Sequence, residues 1–480
     1  MVTSIDIADI IDKQKFGSFH LTVVGVSFLL MLVDGYDNIS IAYIAPLLIK
    51  EWGVDKSALG PLFSAGLLGG LFGPPLFGYL GDRYGRKTSV ILGAFFFGIF
   101  TLAQVWANSL VSMMALRFIA GIGIGGVLPI TIALNTEFAP RRIRGSMTML
   151  SFVGVALGGA LGGLVSSLFM GTYGWQVIFW TGGIAPLLVG LLALFIFPES
   201  LKFLSLKPAR RAELIQVLAR LAPGTNVPEG AQFILSDEAN GARFAFKDLL
   251  EGRLAWITPL FWIANVISLL VFFFVNQWTP VLLASAGFPV ARAALSTTLF
   301  MLGGFVGVLA IMRPVDKFGL MPVPILFAIS IPAVGLIGFV GLPEFAIMGL
   351  VFLAGFCLIA LQFGIIATES QVYPTYIRSW GVGSCFAFGR VGSVIGPLAG
   401  GAMLAREMPV QNLFYLAAVL LLIGLAAAAK LTPLYRIRIR EMLEGGSTPA
   451  ASGGQEFESP DKTVPLTDSV RQGSLLKPTK

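Results

Sequence analysis

Asp34-Gly35-Tyr36-Asp37 places two carboxylates one turn apart inside a run, Leu21 to Ile49, that is otherwise nearly all apolar. At about 1.5 Å per residue such a run outspans the ~30 Å hydrocarbon core of a bilayer. An ionised carboxylate at mid-membrane costs about 2.5–3.5 kcal/mol on insertion scales. The pair therefore calls for water, a partner charge or a proton route. Asp34 lies near mid-run on a stem too short to reach an interface, which makes Asp34 and Asp37 candidates for exchanging a proton. Gly35 between them permits close approach of backbone or ligand. Two cations are placed comparably: Arg117, about two turns inside its apolar run, and Arg390, near the middle of another. A guanidinium forks onto a carboxylate through two parallel hydrogen bonds. Either arginine could thus pair an aspartate or hold an anion, and Arg390 could equally bond backbone carbonyls. Asn276-Gln277-Trp278, after Phe272-Phe273-Phe274, offers two amides and an indole face on which a ring could stack. Tyr36 adds a phenol. The structural alternative for Trp278 is an interfacial aromatic belt, and for Arg117 a static ion pair.

The elements that must position these groups are membrane helices. Of 480 residues, 56% are hydrophobic and only 12% charged, where a soluble chain carries about 25% charged residues. Twelve helices are expected, at 19–48, 57–80, 88–106, 111–134, 146–170, 176–197, 255–284, 293–312, 321–341, 345–367, 380–403 and 411–431. They form an all-α membrane protein with a six-helix bundle at 1–198, a central loop at 199–254, a second bundle at 255–435 and a disordered tail at 436–480. The first apolar run is too long for a signal peptide and reads as a retained span. Most of the 33 basic residues fall in the termini, the central loop and the loops on the same side. The positive-inside rule then puts both termini in the cytoplasm and removes the nucleic-acid reading that the net charge of +7 invites. Cys357 and Cys385 lie in apolar runs, and His20 is the lone histidine. No disulfide framework, metal set, organic cofactor or nucleophile–base pair is expected, so the chain does not read as an enzyme. Gly121-x-Gly123-x-Gly125 lies inside a membrane helix and serves helix packing rather than nucleotide binding.

The halves repeat each other at an offset of about 234 residues. Gly69, Gly70, Gly73, Asp82 and Gly85 match Gly303, Gly304, Gly307, Asp316 and Gly319, and the segment 140–144 matches 374–378. Duplicated six-helix halves mark alternating-access transporters, with the site between the halves near the midplane. Asp34 and Asp37 have no counterpart, since Ser268 and Val271 stand at the offset.

Gly78-Tyr79-Leu80-Gly81-Asp82-Arg83-Tyr84-Gly85-Arg86-Lys87 resembles the loop signature of the major facilitator superfamily, and Pro314-Val315-Asp316-Lys317-Phe318-Gly319 is its weaker copy. Arg117 to Gly126 resembles the fourth-helix motif, and Pro198-Glu199-Ser200 closes the sixth helix as in many members. Asp34-Gly35-Tyr36-Asp37, the run Gly381 to Pro397 and Asn276-Gln277-Trp278-Thr279-Pro280 are similar to the aromatic acid:proton symporters, although Gln277 interrupts the more usual Asn-Trp. The resemblance implies proton-coupled import of benzoate-like acids, including hydroxybenzoates and protocatechuate, by a bacterial inner-membrane protein. It makes the first and fourth helices cavity-lining neighbours, so that Asp37 could be switched on and off Arg117. Asp34, Asp37 and Arg117 are then the proton-coupling set. Arg117, Arg390, Asn276, Gln277, Trp278 and Tyr36 are the substrate-binding candidates, with Gln362 a weaker one. Asp82, Arg83, Arg86, Glu137, Arg144, Asp316, Glu369 and Arg378 would form cytoplasmic ion pairs that lock the outward-open state. The expected partners are an aromatic carboxylate, protons and lipid, with the chain acting as a monomer. Another small organic acid, a sugar or a drug, or a receptor that binds aromatic acids without moving them, remain the alternatives.

Overall fold

The computed structural model describes residues 4–223, 232–234, 246–339, 341–373 and 377–445. Among the described residues, twelve long helices run Ser18–Trp52, Leu59–Tyr84, Arg86–Ala103, Leu110–Phe138, Arg144–Tyr173, Gln176–Ile196, Leu254–Ser285, Val290–Phe318, Pro322–Ile337, Glu344–Val372, Arg378–Leu404 and Val410–Gly445. Eleven are long and apolar enough to cross a membrane. The ninth, at 16 residues, spans about 24 Å; it stops before the expected residue 341 because the chain turns through Gly338 and then Gly341, whose φ is +104°. The twelfth continues past 435 to Gly445; residues 446–480 of the expected tail lie outside the described residues.

The repeat is visible in packing. Cβ atoms at Gly69 and Gly73 would collide with the Phe118 and Ile122 carbonyls, and at Gly303 and Gly307 with those of Phe352 and Phe356. Each of the four residues in the first half lies 234 positions before its counterpart in the second. Small residues let the second helix lie against the fourth, and the eighth against the tenth, at backbone distance. The duplicated loops also turn at matching residues: Gly85 has φ +107° and Gly319 +61°, values that glycine adopts readily.

The central segment is more ordered than a polar loop. Leu201–Ser205 and Arg211–Leu221 are helical, and Gln232–Ile234 pairs in parallel with Ser4–Asp6. Leu214, Val217, Leu218 and Leu221 share an apolar cluster with Ile7 and Ile11 of a short helix, Ile7–Lys13. The spacing i, i+3, i+4, i+7 of those four residues is the helical signal that their charged neighbours obscure. This small assembly marks one face of the protein as loop-rich.

Candidate functional site

The first and fifth helices cross where Gly35 meets the Val155 carbonyl and Gly158 meets that of Leu32; a Cβ at either glycine would collide. This crossing seats Asp34 and Asp37 between elements, and it separates their fates. Asp37 is fully buried and engaged: Arg117 Nη1 donates to its Oδ2 at 2.8 Å, Arg117 Nη2 to its carbonyl at 2.5 Å and Thr101 Oγ1 to its Oδ1 at 3.0 Å. Asp34 is buried with its Oδ1 lacking a hydrogen-bond partner, and it lines a cavity of about 190 Å³ between the halves.

That cavity lies on the pseudo-twofold axis of the repeat. Gly35 and Leu269, Asn38 and Phe272, Ile39 and Phe273, Leu128 and Gln362, Phe152 and Phe386, and Ala156 and Arg390 all line it, and each pair is 234 residues apart. The second half thus contributes Arg390 and Gln362 where the first has Ala156 and Leu128. The Arg390 guanidinium lies over the Phe386 ring at 5.0 Å, and a Cβ at Gly70 would stand 3.1 Å from its Nη1. Asp34 and Arg390 line this same cavity. Asn276 also lines the cavity, and both polar atoms of its amide lack partners. Six phenylalanines, at 152, 272, 273, 305, 363 and 386, share the remaining wall with aliphatic side chains such as Met301, Ile359 and Ile366. Such a lining, largely apolar with one cation and a few amides, has the chemistry to hold a planar ring that bears an anionic group.

Several expected site residues face elsewhere. The Tyr36 hydroxyl is 2.5 Å from Thr181 Oγ1 on the sixth helix. Trp278 is fully buried, donates to the Pro397 carbonyl at 3.1 Å and packs edge-on against Phe63. Their bulk fills helix crossings, away from the cavity. Gln277 is buried with its Oε1 unpartnered, also outside the cavity lining. Arg117 lines a smaller recess that Asn38 and Arg390 share. Residues that the sequence did not single out include Asn38, four after Asp34, and Thr101, which has no motif around it.

The halves meet closely toward the face opposite the loop-rich one. Ser64 Oγ donates to the Val394 carbonyl at 2.9 Å, Gly60 and Gly401 approach at backbone distance, and Gly163 abuts Thr298. Toward the loop-rich face, Phe152 and Phe363 touch edge-on at 5.5 Å, and a further cavity of about 170 Å³ opens beyond Phe363, reaching Asp316. Among the expected gate residues, Arg86 and Glu137 form an ion pair, and Ser200 Oγ donates to Glu137 at 2.5 Å. Glu199 accepts from the Lys87 and Ser200 amides at 3.0 and 2.9 Å; burial pushes its carboxyl above the ordinary range, against those donors and Arg210. All of these partners belong to the first half or the central segment. Asp82 is exposed, Arg83 donates to Tyr79, Arg144 Nε is unpartnered, and Glu369 is buried within the second half. The side chain of Arg378 lies outside the described residues. The ion pair seen among these candidates, Arg86 with Glu137, lies within the first half.

A profile of the Major Facilitator Superfamily matches residues 27–379. The 4-hydroxybenzoate transporter PcaK of Pseudomonas aeruginosa is 30% identical over 90% of this chain and 96% of its own. The gallate transporter of Pseudomonas putida is 30% identical over 86% and 92%. Among solved structures, the inward-open xylose transporter XylE of E. coli superposes with a TM-score of 0.67 at 17% identity, covering 88% of this chain and 99% of that one.

Proposed function

The chain belongs to the Major Facilitator Superfamily and is related over most of its length to transporters of aromatic acids, and from that premise we propose that it imports an aromatic carboxylate together with a proton across a bacterial inner membrane. Both termini and the loop-rich face are cytoplasmic in this reading, so the conformation described is inward-facing. The observation that carries it is that Asp34 and Arg390 line the same cavity between the halves, while Asp37 is held by Arg117 and Thr101. With Asp34 ionised, Arg390 has an internal counter-charge. A proton on Asp34 removes it, and the guanidinium then holds the substrate carboxylate in its fork. The ring sits among the phenylalanines, and Asn276 and Gln362 bond ring hydroxyls, which suits hydroxybenzoates and protocatechuate. One proton with one monocarboxylate moves no net charge. Rocking of the halves exposes the cavity to each side in turn, and further cytoplasmic ion pairs between the halves lock the outward-facing state.

The deciding experiment is uptake of labelled 4-hydroxybenzoate into proteoliposomes under an imposed pH gradient. Accumulation should collapse with a protonophore. Asp34→Asn should insert, fold and exchange substrate but fail to accumulate it; gradient-driven accumulation in that variant would overturn the coupling role.

A further inference from the structure

Glu369 lies near the end of the tenth helix with 1% of its surface exposed, and the scheme above makes no use of it. Asn265 Nδ2 of the seventh helix donates to its Oε1, and the Cys385 thiol of the eleventh lies beside the same carboxyl. The titratable groups that reach it from the packed elements are Cys385 and Tyr373; neither is a cation, and no described cation pairs with it. The carboxyl is also wired to the cavity. Asn265 Oδ1 accepts from Gln362 Nε2 at 3.0 Å, Gln362 Oε1 accepts from Ser268 Oγ at 3.1 Å, and Gln362 lines the cavity wall.

The duplication reveals what the fold itself needs here. Residue 135, which lies 234 positions earlier, is Asn135: its Oδ1 accepts from Ser27 at 3.0 Å and its Nδ2 donates to Ser151 at 2.9 Å. Ser151 in turn lies 234 positions before Cys385. The first half thus builds the corresponding junction from an amide and two hydroxyls, all neutral, with Ser27 one turn before Met31, the position that matches Asn265. Packing at this junction does not require a carboxylate. An ionised carboxylate left there without a cation would be expensive, whereas a protonated acid matches the neutral chemistry of its twin and adds the capacity to lose a proton.

We propose that Glu369 is a second proton-binding site, protonated in the conformation described, whose hold on its proton responds through the Gln362–Asn265 amides to what occupies the cavity. A ligand group that takes the Gln362 amide away from Asn265 changes how strongly Asn265 donates to the Glu369 carboxyl, because linked hydrogen bonds polarise one another. The response to ligand rests on the transport reading; the protonated state does not.

Infrared spectra of the full-length protein in lipid test both parts. The carbonyl stretch of a buried protonated carboxyl should be present in the wild type and in Asp34→Asn, and lost in Glu369→Gln. An unchanged band in Glu369→Gln overturns the proposal. Should that variant fail to fold, Cys385→Ser, which copies Ser151 of the other half, must move the band, and an unmoved band overturns it equally. Added 4-hydroxybenzoate should shift the band in the wild type and leave it in place in Gln362→Leu, which copies Leu128. A shift that persists in Gln362→Leu overturns the link to the cavity. If uptake of aromatic acids is absent while the band is still lost in Glu369→Gln, the transport reading falls and the protonated site stands.

Discussion

Arg117 Nη1 lies 2.8 Å from Asp37 Oδ2, with both side chains buried. Because Arg117 Nη2 and Thr101 occupy the neighbouring acceptors, both carboxylate oxygens of Asp37 are satisfied from within the protein, unlike Asp34 Oδ1 one turn earlier. Removing one member of a buried pair strands the other charge, at a cost of about 3–5 kcal/mol. Asp37→Asn should therefore lower the thermal unfolding temperature sharply, and Asp37→Asn combined with Arg117→Met should recover most of the loss. Tryptophan-fluorescence melts of the purified variants measure this. A single variant as stable as the wild type would show that Arg117 does not depend on Asp37.

Arg390 reaches the cavity with its guanidinium over Phe386, where it can fork onto a carboxylate. A lysine keeps the charge but loses the planar fork. Hydrogen bonds to charged groups contribute about 1.5–3 kcal/mol, so Arg390→Lys should weaken 4-hydroxybenzoate binding roughly tenfold to a hundredfold. Affinity for the uncharged 4-hydroxybenzamide should change far less. Calorimetric titration of both ligands distinguishes a carboxylate contact from a general packing defect, which would weaken both alike.

The helices were legible in the sequence because an apolar span of membrane length admits few other structures, and all twelve expected segments form. The cost of burying charge likewise exposed Asp34, Asp37, Arg117 and Arg390 before any geometry was known. What the sequence could not separate was the direction of side chains on a helix buried on every side. Trp278 and Asn276 are two residues apart, yet the indole fills a crossing and the amide faces the cavity. Tyr36 and Asp34 divide in the same way. The gate candidates are recognisable by motif, but a motif does not say which conformation is populated. Glu369 is grouped with them because it precedes Pro374 much as Glu137 precedes Pro140, and its bond to the buried Asn265 separates it.

Gly25 and Gly35 lie on the same helix and should respond oppositely to one added methyl. A Cβ at Gly25 meets nothing within 4 Å, whereas at Gly35 it would collide with the backbone of Val155. Overpacking costs about 1–3 kcal/mol when neighbours must shift, and backbone yields less readily than a side chain. Gly35→Ala should destabilise the protein and impair uptake by splaying the first and fifth helices, while Gly25→Ala should match the wild type in melting and transport. Equal behaviour of the two would mean that the first and fifth helices do not cross at Gly35 as described.

Gly60 and Gly401 close the face opposite the loop-rich one. A Cβ at Gly60 would stand 3.0 Å from Gly401 Cα and 3.1 Å from the Pro397 carbonyl, so a larger side chain strains the closed arrangement. The strain disappears once the halves separate there, and it therefore acts on one conformation only. A penalty of about 1–3 kcal/mol confined to one state changes a two-state ratio roughly 5- to 150-fold. Gly60→Val should thus favour the form open at that face. The native cysteines, Cys357 and Cys385, are buried, so Asn38→Cys in the cavity wall gives a specific reporter. A membrane-impermeant maleimide applied from the side opposite the loop-rich face should label it several-fold faster when Gly60→Val is present. An unchanged labelling rate would show that the Gly60–Gly401 contact does not hold the face shut, and Ser64 with Val394 would then be the contact to test.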